Sequence, residues 1–490
     1  MDGLDSYSLK ISASFVAIPI HHLITLSIMQ QKFPSLWKLA KILPLHKKGN
    51  TLERKNYRPV SILSPVSKIL ERAIYDQLYS YFSCNRIFHQ NVMGYRKNRS
   101  TMTALLQMYD RWVSGAGNKM TSGIILLDLS AAFDLVNPEI LIQKLRVYGL
   151  DETFIEWIQS YMSHRKQAVW VDHDFSDWLE IEVGVPQGSI LGPLLFIIFS
   201  HDLPYLLSCN LDQYADDSTL SCVKPTIQEI NIELNENCEQ VTHWMQMNEL
   251  QLNAEKTHLL VGGTSQMLAR VKSVEDVSIS MSGVQIRESE ETYETILGVL
   301  IQPNLKWTQH CAELRSRLKA RLSGLRKVQS ILDLVQRKIV AQSIFQSVLT
   351  YCIVVWGGTA KKEIQDLQVL QNQAAQFVLK SPIRMKRREM FFKLDWLTVN
   401  QLVAFQRILT VYNIRNSGEP EYLYQKLSRD NFRGNIIVPY TSLTLLKKSF
   451  IFDGAALWNS VPTSIRGLAD KKTFKNEVRK WVTTSIPMFL

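Results

Sequence analysis

No two of the six cysteines form a C-x-x-C pair: Cys84, Cys209, Cys222, Cys238, Cys311 and Cys352 are scattered along a chain of 490 residues. That spacing excludes a zinc ribbon and a disulfide framework, and it fits a reducing compartment. A secretory leader is also lacking. "MDGLDSYSLK" has no basic n-region, and the apolar run after it is broken by Pro19, His21 and His22. Nor is there an uninterrupted membrane-length span, since "SIFQSVLTYCIVVW" carries Gln346 and several hydroxyls and reads as a buried helix of a soluble protein. No membrane partner is expected. His21 and His22 are adjacent and cannot share a helix face, which makes them poor metal ligands.

What the chain has in excess is positive charge. Lys and Arg outnumber Asp and Glu by 56 to 45, for a formal charge of +11 and a pI near 9.2, which points to a polyanionic partner, nucleic acid first. Hydrophobic residues make up 46%, enough to build cores, and the length suggests about three domains.

The acids, though fewer, are pointedly placed. "LDQYADDSTLS", Leu211 to Ser221, reads as strand, tight turn, strand, with Asp216 and Asp217 side by side at the tip. Adjacent carboxylates repel; either solvated turn chemistry or a hard divalent cation such as magnesium offsets the repulsion. In "SGIILLDLSAAFDLVN" the apolar run Ile124 to Leu127 predicts a strand buried on both faces, with Asp128 at its end. A helix cap is the competing reading for Asp128, and Asp134, six positions on, is read as a structural cap. If the two strands are neighbours, Asp128, Asp216 and Asp217 converge, and such a cluster can hold two cations roughly 3.5–4 Å apart. That chemistry serves nucleases and polymerases alike.

Between these carboxylates, "GVPQGSILGPLLFIIFSHDLP" predicts a tight turn at Gly184, Pro186 and Gly188, an N-cap at Ser189, and an apolar helix from Ile190 to Phe199 interrupted early by Gly192-Pro193. Glycines in such a turn let a base pair approach the backbone. Downstream, Ile227, Ile230, Leu234, Cys238, Val241 and Met245 recur at steps of three and four, predicting an amphipathic helix that covers one face of the sheet.

"DLSAAFD", "GVPQGSILGP" and "YADD", in this order and at this spacing, resemble the palm motifs of reverse transcriptases, specifically those of non-LTR (LINE-type, jockey-like) retrotransposons. The resemblance runs upstream through "WKLAKILPLHKKG", "NYRPVSILSPVSKILE" and "GYRKNRST". Downstream it runs through "LQLNAEKTHLLV", "ILGVLIQPNLKW", "SIFQSVLTYCIVVWG" and "WNSVPTSIRG". It implies an α+β right-hand polymerase. Residues 1–40 would extend the fingers, 41–302 form fingers and palm, 303–380 a helical thumb, and 381–490 a C-terminal helical region whose role is not legible. The implied activity is RNA-directed DNA polymerisation: a primer 3′-hydroxyl is extended with deoxynucleoside triphosphates on an RNA template, using two Mg2+ ions, with Mn2+ as a substitute. RNA template, DNA primer and the triphosphates are the implied partners.

The resemblance also assigns roles by position. Asp128, Asp216 and Asp217 match the metal-binding catalytic aspartates. Phe133 falls where an aromatic lies beneath the sugar of the incoming nucleotide, its alternative being plain core packing. Gln187 and Gly188 match the loop bordering the nucleotide pocket. Lys47 or Lys48, and above them Arg58, resemble finger residues that bind the triphosphate, Arg clamping phosphate bidentately and Lys acting as a point charge. Lys256 matches a general acid for the leaving pyrophosphate, although a surface lysine at a strand end looks the same. Leu297, Gly298 and Val299 resemble the primer grip. "CAELRSRLKARLSGLRKVQS" places Arg315, Arg317, Lys319, Arg321, Arg326 and Lys327 on a helical pattern suited to gripping phosphates, or simply to being solvated.

Departures are informative too. Full elements of this family usually carry an endonuclease upstream, whereas this chain opens like the polymerase region itself, so a chain truncated to lack the endonuclease is expected. A Cys/His knuckle and a ribonuclease H carboxylate set are missing, and His201 stands where asparagine is common. Two rivals stand beside the polymerase: an inactive remnant that binds RNA through its basic surface, and a metal-dependent nuclease, which leaves Phe133 and the Gln187 loop unexplained. Target-primed copying in the family implies an intracellular protein of nucleus and cytoplasm; the oligomeric state is not legible.

Overall fold

A short apolar run dictates the centre of the molecule. Ile124, Ile125 and Leu127 are buried in β3 (Thr121–Ser130), the inner strand of an antiparallel sheet. The computed structural model describes residues 6–47, 49–253, 256–271, 277–288, 292–380, 385–438 and 440–488. The central sheet has the order β10-β3-β8-β7, from β7 (Asn210–Tyr214), β8 (Asp217–Lys224) and β10 (His258–Gly262), while β9 (Gln251–Leu252) pairs with the far end of β3. That last pairing carries the strand two residues beyond Asp128, where the sequence places its end.

A second sheet lies upstream, built from β1 (Leu39–His46), β2 (Tyr57–Ile62), β4 (Arg165–Val171), β5 (Asp174–Phe175) and β6 (Leu179–Ile181). Here β1 runs parallel to β4, with Leu39 opposite Lys166, so the whole of β3 is inserted between two paired strands. Two small hairpins follow the central sheet, β11 (Ile279–Met281) with β12 (Val284–Ile286) and β13 (Glu294–Ile296) with β14 (Val299–Ile301).

Helices cover both faces. The amphipathic helix expected after the hairpin spans Ile227–Met247 and buries Ile227, Ile230, Leu234, Cys238, Val241 and Met245. Helix Thr101–Gly117 lies on the opposite side and is apolar enough to enter the larger core, which it shares with β13, β14, helix Thr308–Lys327 and the C-terminal region as far as Val482. Trp396 and Trp458 are buried there, and Trp481 is half-buried. The C-terminal region is also tied to helix Thr101–Gly117 by polar contacts: Lys426 Nζ lies 2.6 Å from Asp110 Oδ2, and Tyr422 donates to the same oxygen at 2.9 Å.

"SIFQSVLTYCIVVW" departs from the single buried helix expected of it. The chain breaks at Tyr351–Cys352, where Cys352 adopts φ +48, and resumes as a short helix Ile353–Trp356. The break turns Tyr351 outward, and its backbone carbonyl accepts from Trp356 Nε1 at 2.8 Å. Among the described residues no helix is long and apolar enough to cross a membrane.

Candidate active site

The paired aspartates sit on a two-residue turn. Tyr214 and Asp217 close the β7–β8 hairpin, Ala215 takes φ +61 and Asp216 follows it. β8 pairs with β3 in a register that sets Asp217 directly opposite Asp128, and directly opposed residues project from the same face of a sheet. The consequence is electrostatic. The Asp217 carboxyl is pushed above its ordinary range by burial and then by the charges of Asp216 and Asp128. Among the described residues, no group of three or more His, Cys, Asp or Glu side chains is arranged to hold a metal ion as it stands. Lys256 joins the carboxylates, its Nζ 3.7 Å from Asp128 Oδ2.

The turn is fixed from behind by the segment Asn91–Gly94, which runs along the outer edge of β7. Met93 N donates to Gln213 O at 2.7 Å, and Gln213 N donates to Asn91 O at 3.0 Å. Gly94 must be glycine, because a Cβ there would lie 2.4 Å from the backbone nitrogen of Ala215. Beneath the turn, buried Asp212 accepts from Arg111 at 2.5 and 3.0 Å and from Gln107 at 3.1 Å. Arg99 secures the same segment, donating to Gln90 O and pairing with Glu419 of the C-terminal region.

The loop between the two carboxylate strands forms a second wall. The helix starts one residue later than expected, at Leu191 with Ile190 in the N-cap position, while Ser189 Oγ accepts from Gly192 N at 2.9 Å from just ahead of it. Pro193 falls in the first turn of helix Leu191–Ser200, where its missing N–H leaves no gap. A second acceptor is Glu71, fully buried, whose Oε2 takes Ile190 N at 2.7 Å and Leu191 N at 3.3 Å. Gly188, at φ +125, presses against β2: a Cβ would meet Ser61 O at 2.4 Å. Gln187 O accepts from Ser61 N at 2.7 Å, and Gln187 Nε2 donates to both oxygens of Asp134, at 2.7 and 2.9 Å.

Asp134 is therefore no helix cap. The following helix, Pro138–Val147, is capped by Asn137, whose Oδ1 accepts from Glu139 N at 2.8 Å. The sequence pattern shows the spacing of Asp134 but not its distant partner. Burial pushes its carboxyl up, against the hydrogen bond from Gln187 and the charge of Lys47. Phe133, half-buried, stacks on Phe196 with centroids 4.4 Å apart, so it is both packed and open on one side.

Other expected residues fall around this cleft. Arg58 is exposed on β2, Lys47 is exposed just past the end of β1, and Lys48 lies outside the described residues. Tyr95, which the sequence reading does not single out, stands between the sheets. Its phenol is pushed up by burial, by Asp216 and by Tyr214, and pulled down by Arg58. Leu297 and Gly298 form the turn of the β13–β14 hairpin at φ +47 and +78, and Tyr351 Oη donates to Leu297 O at 2.8 Å. Val299 is fully buried, so of the three only Leu297 and Gly298 can face a ligand. A cavity of about 340 Å³ lies between this turn and the hairpin, lined by Asp128, Tyr214, Asp217, Lys256 and Leu297 among others. On helix Thr308–Lys327, Arg315 is committed to Glu363 and Asp366 at 2.5 and 2.8 Å rather than free for phosphate.

The family described as "Reverse transcriptase (RNA-dependent DNA polymerase)" matches residues 45–301. The "RNA-directed DNA polymerase from mobile element jockey" of Drosophila melanogaster is 26% identical over 408 residues, covering 81% of this chain and 43% of its own. The "Probable RNA-directed DNA polymerase from transposon BS" of the same fly is 27% identical over 417 residues, covering 80% and 44%. The chain thus spans less than half the length of these relatives. Among solved structures, telomerase from Candida albicans, in complex with a fragment of telomeric RNA, aligns with a TM-score of 0.41 at 12% identity over 98% of this chain and 69% of that one.

Proposed function

Because this chain belongs to the reverse transcriptase (RNA-dependent DNA polymerase) family, whose match takes in residues 45–301, we propose that it is the RNA-directed DNA polymerase of a non-LTR retrotransposon. It would extend a DNA primer 3′-hydroxyl with deoxynucleoside triphosphates on an RNA template. The fold is that of an α+β right-hand polymerase. In our reading, the β1–β2–β4 sheet belongs to the fingers, the β3–β7–β8 sheet is the palm, residues 303–380 are the thumb, and 381–490 are a helical extension braced against the palm.

The observation that carries this reading is the register of Asp128 against Asp217 beside Asp216. The Asp217 carboxyl is raised by burial first and by the two neighbouring charges second, and a cation would offset both. These three residues would hold divalent cations, Mg2+ or Mn2+. Bound there, two such ions would lower the pKa of the attacking hydroxyl and stabilise the leaving oxygens.

The chain's own side chains do the rest. Lys256, beside Asp128, donates a proton to the departing pyrophosphate. Arg58 and Lys47 offer cations to the triphosphate from the fingers. The Phe133 ring supports the sugar and collides with a 2′-hydroxyl, while Gln187, held by Asp134, borders the nucleotide. The Leu297–Gly298 turn holds the primer end through its backbone.

Primer extension on poly(rA)/oligo(dT) with magnesium and dTTP tests the reading. The native chain is expected to synthesise DNA, Asp216→Ala to lose synthesis, and Phe133→Ala to incorporate more ribonucleotide. A folded native chain that retards RNA on a gel but extends nothing would make it an RNA-binding remnant.

A further inference from the structure

"WNSVPTSIRG" takes no part in the catalytic cleft, yet its polar side chains converge on one hairpin. Asn459 brackets Ile436, accepting its N–H at 2.8 Å and donating to its carbonyl at 2.9 Å. Arg466 donates to Gly434 O at 2.9 Å and to Asn435 Oδ1 at 3.1 Å. Arg415, its guanidinium 5.6 Å from the centroid of the Trp458 ring, grips Asp430 bidentately at 2.8 and 2.7 Å. The hairpin is closed internally as well. Asp430 bridges Ile436, and Asn431 Oδ1 accepts from Arg433 N at 2.9 Å and Asn435 N at 3.1 Å.

All this order presents a ring to solvent. Phe432 at the tip is 92% exposed, with the Arg433 guanidinium 5.2 Å from its centroid. An isolated exposed apolar residue needs no explanation, but one held out on a hairpin pinned by Arg415, Asn459 and Arg466 does. Beside the hairpin runs a groove of about 640 Å³ lined by Lys426, Arg429, Ile437, Tyr440 and Ser442, where Tyr440 is 97% exposed. The acids nearby are already neutralised, Asp430 by Arg415 and Asp110 by Lys426. Positive charge interleaved with exposed rings is the chemistry of single-strand recognition: bases stack on aromatic faces while cations follow the phosphates.

We propose that this hairpin is a stacking platform for single-stranded RNA outside the catalytic cleft, with a base on Phe432, phosphate on Arg433 and Arg429, and Tyr440 as a second ring along the groove. The choice of RNA over other polyanions rests on the RNA-copying reading above.

The test uses the full chain with its cleft saturated by unlabelled poly(rA)/oligo(dT), and follows fluorescein-labelled oligo(rC) by anisotropy. Phe432→Ala is expected to weaken binding about five- to a hundred-fold, Phe432→Trp to restore it, and Arg433→Ala to lower the salt slope by roughly 0.7. Ultraviolet cross-linking is expected to label residues 429–442. Unchanged affinity in folded Phe432→Ala and Arg433→Ala overturns the platform, as does a change in sedimentation without a change in RNA binding, which would mark a protein-docking surface. Displacement by oligo(dC) as good as by oligo(rC) overturns the assignment to RNA. Binding by a native chain that extends no primer leaves the platform standing and removes only the polymerase reading.

Discussion

At Asp217 burial and two neighbouring carboxylates all oppose ionisation, so the residue is arranged for a ligand and against stability. Asp216→Asn is expected to abolish dTTP incorporation while raising the unfolding temperature of the metal-free protein. The gain is at most about 1 kcal/mol, because both carboxylates, although partly enclosed by the cleft, still reach solvent, and water screens the repulsion. Thermal unfolding with and without magnesium reads this, and a variant less stable than the native chain would refute the repulsion. His201 makes a different case. It packs against Phe82, Phe88 and Tyr148, neither ring nitrogen has a hydrogen-bond partner among the described residues, and burial pushes its pKa down from 6.5 to about 4. The unfolded chain therefore binds a proton that the folded one refuses between those values. Its contribution to stability is complete above pH 6.5 and is lost as pH falls toward 4, by up to about 3 kcal/mol. His201→Leu is expected to flatten that part of the pH–stability curve. The three aspartates were legible in the sequence because strand pattern and adjacency are local. Asp134 was misread because its partner, Gln187, stands 53 positions away.

Among elements, the β7–β8 hairpin was readable from alternation and its turn, whereas the strap along its edge was not, since the few residues Asn91–Gly94 are too short to carry a periodicity. Gly94 is where the strap meets the turn. Gly94→Ala is expected to displace Ala215 and with it Asp216, cutting the rate of nucleotide addition well beyond the folding cost of about 1–3 kcal/mol. Primer extension at saturating dTTP beside thermal unfolding separates the two, and an unimpaired rate would refute the coupling. The break at Cys352 was equally hidden: an apolar run looks the same whether or not one residue turns left-handed, and only the contact of Tyr351 with the β13–β14 turn shows its purpose.

For the molecule as a whole, the sequence left residues 381–490 without a role, because what they touch lies some 300 positions upstream. The structure puts them in one core with helix Thr101–Gly117 and the helices after residue 303. Removing everything after residue 380 is expected to yield insoluble protein rather than a smaller polymerase, as solubility and tryptophan fluorescence would report. Arg111 concentrates the same dependence. It neutralises buried Asp212 under the catalytic turn and lies 5.2 Å from the Tyr422 ring centroid of the C-terminal region. Arg111→Ala leaves that carboxylate unpaired, with an expected loss of about 3–5 kcal/mol in chemical denaturation. A loss under about 1 kcal/mol would show that water already reaches Asp212.

The parallel pairing of β1 with β4 has a consequence for how the protein is made. On the ribosome β1 emerges long before β4, and β3, which lies between them in the chain, must wait for β8 and β10. Neither sheet can close on nascent chain shorter than its last strand, so the upstream sheet waits for β4 and β6 and the central sheet for β10. Until β4 emerges, the edge of β1 away from β2 stays unpaired, and such an edge is where a nascent chain can pair wrongly.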